Sequence, residues 1–391
     1  MTSKLTILHT IETSGPGGAE NVLLQLASRL SPDRFRSVVV INEPGWLEDK
    51  LHEAGLQTVR VKWRRWWDCR LPRAIARLVK DERVDLIHSH LPDQNFYACV
   101  ASRLSGCPTI VTYHGPVELS DSGTLRGWLK LQLVKNTARK VVVVCDFVKD
   151  MLKHSGFTEQ ALHRIYNGIE SSRFTEATRG RLRLELNCPP ESALIGMLAN
   201  VRAPKGHEFF IRAARLIADR NPNTFFVISG DLHKTLAPPL FKLVRDLGLQ
   251  DRLKFLGFRE DVPTILSDLD IFVLPSTSEG FPLVVLEAMA CGKPVVATRC
   301  GGAGEAVVEG RTGFMVEVAD APAIASRVIE LLEQKEQSVS MGQAAKLRIE
   351  SEFSVQAMVA NYEHLYESCV ALRGADLKRT GSVQVAEPPV C

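Results

Sequence analysis

Short β-branched runs alternate with longer amphipathic segments from the first residues onward, and the alternation happens twice. "LTILHTI", "RSVVVIN", "DLIHSH", "TIVTYH" and "KVVVVC" read as strands in the first half. Helical segments lie between them, at Glu20 to Leu30, Trp46 to Ala54, Leu71 to Asp81 and Asn95 to Leu104. The pattern restarts with "ALIGMLAN", "TFFVISG", "RLKFLG", "DIFVLPS", "PVVATR" and "GFMV", with helices such as Glu208 to Ala218 between them. Strands separated by helices pair in parallel through crossovers, so the expected fold class is α/β, with two doubly wound domains. A length of 391 residues exceeds what one core can fill, which agrees with two domains.

A turn-like Asn-Gly and a polar stretch from Asn167 to Thr178 interrupt the periodicity. They place a first domain at 1–170 and a second at 171–354. The end of the chain reads as helical from Ala321 to about Arg373, with breaks near Ser338 and Ser354. Residues 374–391 lack a periodic apolar face and are expected to form a mobile tail.

The balance of 48 basic and 45 acidic residues, net +3, argues against a general nucleic-acid binder. Nine scattered cysteines with no C-x-x-C pair fit reduced thiols in a cytosol. The apolar run in "MTSKLTILHTIETSG" reaches polar and glycine residues too soon for a signal sequence, and no stretch approaches the ~20 apolar residues of a membrane span. The expected location is the cytoplasm, with peripheral contact on the inner face of the membrane left open.

Three stretches carry chemistry. The first strand leads into "ETSGPGGAENVLLQL", a glycine-rich turn opening a helix, where the backbone amides of Gly17 and Gly18 can approach a phosphate. It is a poor dinucleotide fingerprint, because G-x-G-x-x-G begun at Gly15 requires glycine where Glu20 stands; a nicotinamide dehydrogenase is disfavoured. A plain connecting turn remains the alternative. In the second domain "LANVRAPKGHEFFI" places Arg202 and Lys205 in a strand-to-helix loop at the end of the sheet where doubly wound folds bind ligands, so these cations suit a diphosphate. The bland alternative is a solvated loop.

The third stretch is "PSTSEGFPLVVLEAMACGKPVV". Glu279 falls in the loop after a strand, Pro282 in the first turn of the next helix, and Glu287 about 7 Å further along its axis. Carboxylates accept hydrogen bonds from hydroxyls, and a nucleotide sugar carries hydroxyls at both ends, on the transferred sugar and on the ribose. Two glutamates flanking a phosphate-binding helix start could therefore each hold one sugar.

In these residues the chain resembles the retaining GT-B glycosyltransferases of family 4, the glycosyl transferases of group 1. The motifs run in the family's order over nearly the whole chain, from "GGAE" through "NGI", "RAPKG" and "EGFPLVVLE" to "GGAGEAV". The resemblance implies two Rossmann-like domains facing a cleft, the first on the acceptor side, the second binding the nucleotide sugar, and a helix over 355–373 returning to the first. It implies that Glu279 contacts the donor sugar, that Glu287 holds the ribose, and that Arg202 and Lys205 neutralise the diphosphate. The amides of Gly280, Phe281 and Leu283 lie near the sugar and diphosphate on this pattern, and those of Gly17 and Gly18 approach from across the cleft. His114, closing "TIVTYHG", would contact the donor sugar; His88 and His90 are weaker cases, one lining the acceptor side or both structural. Two departures stand out: "SGDLHKTLAPP" lacks the G-x-G-P of many relatives, leaving Gly230 and Asp231 undecided, and Pro282 replaces a frequent glycine.

The expected reaction is transfer of a sugar, with retention, from a nucleoside-diphosphate sugar to a hydroxyl acceptor in polysaccharide, lipopolysaccharide or glycolipid assembly. The resemblance implies front-face attack without a covalent nucleophile, and no metal or cofactor is expected, since the histidines and carboxylates show no convincing ligand cluster. A nucleotide-sugar epimerase is the alternative, and a binding protein without catalysis a third reading that the intact set of charged residues disfavours. Base contacts are expected from the backbone around Phe258 and Arg259. The stretch "VKWRRWWDCRLPR", with Trp63, Trp66 and Trp67 among Arg64, Arg65, Arg70 and Arg73, suits either an anionic membrane surface or the acceptor cleft.

Overall fold

The computed structural model describes residues 4–63, 68–119, 121–175 and 179–380. The first sheet is built from β1 (Leu5–Ile11), β2 (Phe35–Ile41), β3 (Gln57–Arg60), β4 (Leu86–His90), β5 (Thr109–Tyr113), β6 (Lys140–Val143) and β7 (Leu162–Arg164). The second comprises β8 (Ala193–Leu198), β9 (Thr224–Ser229), β10 (Leu253–Gly257), β11 (Ile271–Leu274), β12 (Val295–Thr298) and β13 (Gly313–Val316). Their orders are β3-β2-β1-β4-β5-β6-β7 and β10-β9-β8-β11-β12-β13, with every pairing parallel. The order reverses at β1/β4 and at β8/β11, so each domain opens a crevice at the carboxyl ends of those strands.

All eleven strands expected from sequence are present. β3 and β7 are additional: they are short edge strands in which only Leu162 is buried, so neither writes an apolar run. The central strands do so because helices cover both sheet faces; all five residues of β4 and of β5 are buried.

The chain crosses between domains twice, and the two crossings are tied together. Ile169 N–H donates to the Phe353 carbonyl at 3.0 Å, and Val355 N–H to the Ile169 carbonyl at 2.9 Å. Gly168 lies against the Ser354 carbonyl, where any side chain would overlap it, which gives the glycine of "NGI" its physical reason. The terminal helices are Ala321–Glu333, Lys335–Glu352 and Val355–Thr380. The break expected near Ser338 falls at Gln334, and the last helix continues through 374–380, where the sequence reading begins a tail. The remainder of that tail, 381–391, lies outside the described residues. The last helix returns to the first domain: Tyr362 and Tyr366 are buried there, and Glu363 takes the backbone N–H of Ser31 at 2.6 Å.

Candidate active site

The carboxyl ends of the two sheets face one another across a cleft of about 430 Å³. Gly17, Gly18, His114, Arg202, Lys205, Glu279, Gly280, Phe281, Leu283 and Glu287, far apart in the chain, all line it.

The wall from the second domain carries the charge. Beyond β8 the loop is anchored by Asn200, whose side-chain oxygen accepts the Asp231 N–H at 2.8 Å, and by Val201 N–H donating to the Asp231 carbonyl at 2.8 Å. Gly206 then turns with φ +67° against the Pro275 carbonyl, a conformation and an approach that only glycine tolerates. That turn brings Lys205 Nζ to 2.8 Å from both carboxylate oxygens of Glu279, and Ser276 Oγ donates to the same carboxylate at 2.7 Å. Glu279 is thereby oriented and only 8% exposed. Arg202 is exposed, with no ion-pair partner among the described residues.

Pro282 is the residue before the helix Leu283–Ala290, with ψ 111°, rather than part of its first turn. An extended cap residue is what lets the loop swing out of the helix axis. Glu287, one turn in, is partly exposed to the cleft; loss of hydration raises its carboxyl to about 7, and Arg173 offsets this only in part.

The wall from the first domain carries amides and a neutral ring. Gly17 caps the helix Gly18–Arg29 with no side-chain cap bond, so the amides at its start can face an anion, except that of Glu20, which its own carboxylate meets. Thr13 hydroxyl donates to Glu20, whose buried carboxyl is raised by desolvation and lies where a side chain at Gly17 would be. Glu20, which breaks the dinucleotide fingerprint in sequence, packs under the glycine. His114 Nε2 lies 3.0 Å from His90 Nδ1, and burial lowers the His114 imidazole to about 4. The backbone N–H groups of His114 and Gly115 both donate to Glu118, the latter at 2.9 Å, and burial pushes the Glu118 carboxyl up to about 8.

The walls also touch directly. Gly280 packs against the His114 carbonyl and Gly115, Asn167 Nδ2 donates to the Phe281 carbonyl at 3.2 Å, and Asn200 Nδ2 to the Pro16 carbonyl at 3.2 Å. Glu305 of "GGAGEAV" reaches across to accept the N–H groups of Asp146 and Phe147 at 2.8 and 2.9 Å, at the start of the helix Asp146–His154. Glu118, Asn200 and Glu305 carry no assignment from sequence; Glu305 alone lies within one of the ordered motifs, "GGAGEAV".

Of the remaining candidates, Phe258, Arg259 and Gly230 line the cleft and Asp231 an adjoining groove. The Arg259 guanidinium is already held by Asp261 and Glu185 at 2.7 Å. Trp63 packs on the core beneath β2, Arg70 pairs with Asp68, and residues 64–67, including Arg64, Arg65, Trp66 and Trp67, lie outside the described residues. Pairing of β1 with β4 gathers His9, His88 and His90, whose nitrogens lie within 4.8 Å of one another. His9 is remote from His88 and His90 in the chain, so no local spacing in the sequence reveals this cluster.

Comparisons with known proteins agree with this geometry. Residues 179–348 match the glycosyl transferases group 1 model, and residues 16–173 the glycosyltransferase family 4 model. The chain is 26% identical, over 93% of its length and 97% of the relative's, to UDP-Gal:alpha-D-GlcNAc-diphosphoundecaprenol alpha-1,3-galactosyltransferase of Escherichia coli. It is also 26% identical, over 77% and 79%, to N-acetyl-alpha-D-glucosaminyl L-malate synthase of Bacillus anthracis. Among solved structures, HepE of Anabaena in complex with UDP superposes with TM-score 0.82 at 23% identity, covering 93% of this chain and 100% of that one. Sucrose-phosphate synthase of Thermosynechococcus elongatus gives 0.79 at 20% identity, covering 94% and 100%. These structural likenesses speak for the GT-B fold; the sequence matches speak for glycosyl transfer and lend nothing to the epimerase alternative. The chain belongs to the family 4, group 1 glycosyltransferases and is an enzyme of that type, built on the GT-B architecture.

Proposed function

We propose that the enzyme moves a sugar, with retention at the anomeric carbon, from a nucleoside-diphosphate sugar to a hydroxyl of a glycan or lipid-linked acceptor, in polysaccharide, lipopolysaccharide or glycolipid assembly. The observation that carries this reading is the convergence, in one cleft, of an exposed guanidinium, a lysine, two helix starts and two carboxylates. Cleavage of the sugar–phosphate bond leaves negative charge on the diphosphate and positive charge on the sugar. Arg202, Lys205 and the amides near Leu283 and Gly18 would meet the first charge more strongly in the transition state than before it. No metal is needed in this scheme, because fixed cations do that work.

Glu287 would accept the ribose hydroxyls, and Glu279 would orient the transferred sugar. Lys205 and Ser276 already occupy the Glu279 carboxylate, which suits it to electrostatic stabilisation better than to attack on carbon. Retention then requires the acceptor to enter on the face the diphosphate leaves, with a phosphate oxygen taking its proton. Calorimetric titration with UDP-, GDP- and ADP-sugars tests the donor class: binding of none of them overturns the reading. NMR of the product's anomeric configuration tests retention, and Glu279→Gln should slow transfer far more than it weakens nucleotide binding.

A peripheral membrane contact belongs to the same reading, through a different surface from the tryptophan-rich stretch. The helix Leu125–Thr137 turns Leu125, Trp128 and Leu129 to solvent, 74, 51 and 52% exposed, beside Val117 at 64%. Lys135 on the same helix is exposed and open to anionic lipid, whereas Arg126 and Lys130 are paired with Asp93, so the apolar stripe carries most of the proposed contact. Co-sedimentation with phosphatidylglycerol vesicles should be lost in a Trp128→Ala, Leu129→Ala double variant; no binding by the unmodified protein removes the contact.

A further inference from the structure

His9, His88 and His90 share one face of the first sheet, since His9 and His88 are register partners and His88 and His90 are two apart on β4. The returning helix Val355–Thr380 covers this face. Tyr366 hydroxyl meets His88 Nδ1 at 2.7 Å, and Thr112 Oγ1 meets His88 Nε2 at 2.7 Å. His90 is fully buried, with its ring 4.2 Å from that of His88 and its Nδ1 at 3.0 Å from His114 Nε2. The other nitrogen of His90, Nε2, has no partner among the described residues. His114 lines the cleft, and its Nδ1 is bonded to no described residue.

Burial keeps both rings neutral, so a single hydrogen lies between His90 Nδ1 and His114 Nε2. Two arrangements are available. If His114 donates, His90 must carry its own hydrogen on Nε2, leaving a buried N–H with no acceptor. If His90 donates, its Nε2 is a bare lone pair. Neutral His9 beside His90, with neither nitrogen partnered among the described residues, already carries one buried orphan N–H; the first arrangement would add a second, the costlier outcome, so the second arrangement is preferred. His114 then carries its hydrogen on Nδ1, the atom left to the cleft.

We propose that His90 is a positioning residue that fixes both ring and tautomer of His114, so that His114 offers an Nδ1–H donor to a hydroxyl oxygen of the transferred sugar. With no lone pair facing the cleft, His114 cannot serve as the base that takes the acceptor's proton. The identity of the ligand rests on the sugar-nucleotide reading above; the tautomer does not. A metal ion drawn between His9, His88 and His90 would set these rings instead, but it would have to displace a hydroxyl from His88, both of whose nitrogens are engaged.

The test begins with the ligand-free, full-length protein labelled with 15N-histidine. Long-range proton–nitrogen spectra, with His114 assigned through His114→Gln, should show the Nδ1–H tautomer, and His90→Leu should give a mixture. Finding Nε2–H in the unmodified protein, an unchanged His114 signal in His90→Leu, or one equivalent of zinc by elemental analysis overturns the proposal. Release of nucleoside diphosphate from UDP-glucose, UDP-galactose and GDP-mannose supplies the second readout. For any accepted donor, His90→Leu should lower kcat about tenfold, the scale of one lost hydrogen bond, with KM nearly unchanged. His90→Asn, whose side-chain amide can donate near the place of Nδ1, should recover most of the rate. His90→Leu should add nothing in a His114→Gln background, whereas additive losses overturn the coupling. Should His90→Leu fail to fold, the tautomer of the unmodified protein and the His90→Asn rate decide. If no sugar nucleotide binds, the donor reading falls while the tautomer result stands or falls separately.

Discussion

The two walls of the cleft are built differently. The second domain presents charged side chains, Arg202, Lys205, Glu279 and Glu287, from two contiguous motifs. The first presents backbone amides at Gly17–Gly18 and one neutral imidazole, held by groups brought from several strands. Under the proposed function, charge that would respond to a breaking bond sits on the second wall, and geometry that would have to stay fixed sits on the first. Substitutions on the second wall should therefore reduce rate, and those at the contact between walls should reduce stability.

The sharpest way to break that contrast is Arg202→Ala. It should lower kcat/KM by about 10²–10³-fold, the cost of removing one preorganised charge donor, while the melting temperature stays put. A loss of less than about fivefold would leave the second wall without its assigned role. Next is Gly280→Ala, which drives a methyl group into the His114 carbonyl where the walls meet. Overpacking of this kind costs roughly 1–3 kcal/mol, read from urea unfolding, and a neutral result would mean that the walls are not in contact there.

Titration sharpens the contrast further. The Glu287 carboxyl sits near about 7, above its ordinary 4.5, so the fold favours its protonated form. The unfolded chain ionises first as pH rises, hence this group's contribution to stability declines between 4.5 and about 7 and is level beyond. If Glu287 holds the ribose as proposed, its ionised form is the one able to accept two hydroxyls, so nucleoside-diphosphate affinity should rise with pH between 6 and 8, by up to about tenfold if only that form binds. Calorimetry checks this; Glu287→Gln should flatten both dependences. The smallest effect is expected from Glu305→Ala, which uncaps the helix Asp146–His154 from across the domain boundary. It should cost about 1 kcal/mol in urea unfolding with kcat little changed.

What could be read from sequence follows the same division. The central strands were visible because burial on both faces forces continuous apolar runs, while β3 and β7 at the sheet edge leave none. Arg202, Lys205, Glu279 and Glu287 were visible because each lies within a few residues of a strand end or helix start, so local spacing carries them to the cleft. Glu118, Asn200 and Glu305 were not, since each acts on backbone groups that no local pattern identifies. The break at Gln334 and the position of Pro282 ahead of its helix were missed for a related reason: helix ends are set by backbone torsions that composition only biases.

By itself, the sequence determined the α/β class, the two domains and the charged residues of one wall, because hydrophobic periodicity and motif spacing are local properties of a chain. Only the tertiary structure decided that His90 stands behind His114, that Lys205 closes on Glu279, and that Gly280 must be bare. These are meetings between segments dozens of residues apart, and their energies depend on distances that exist only once both sheets have formed.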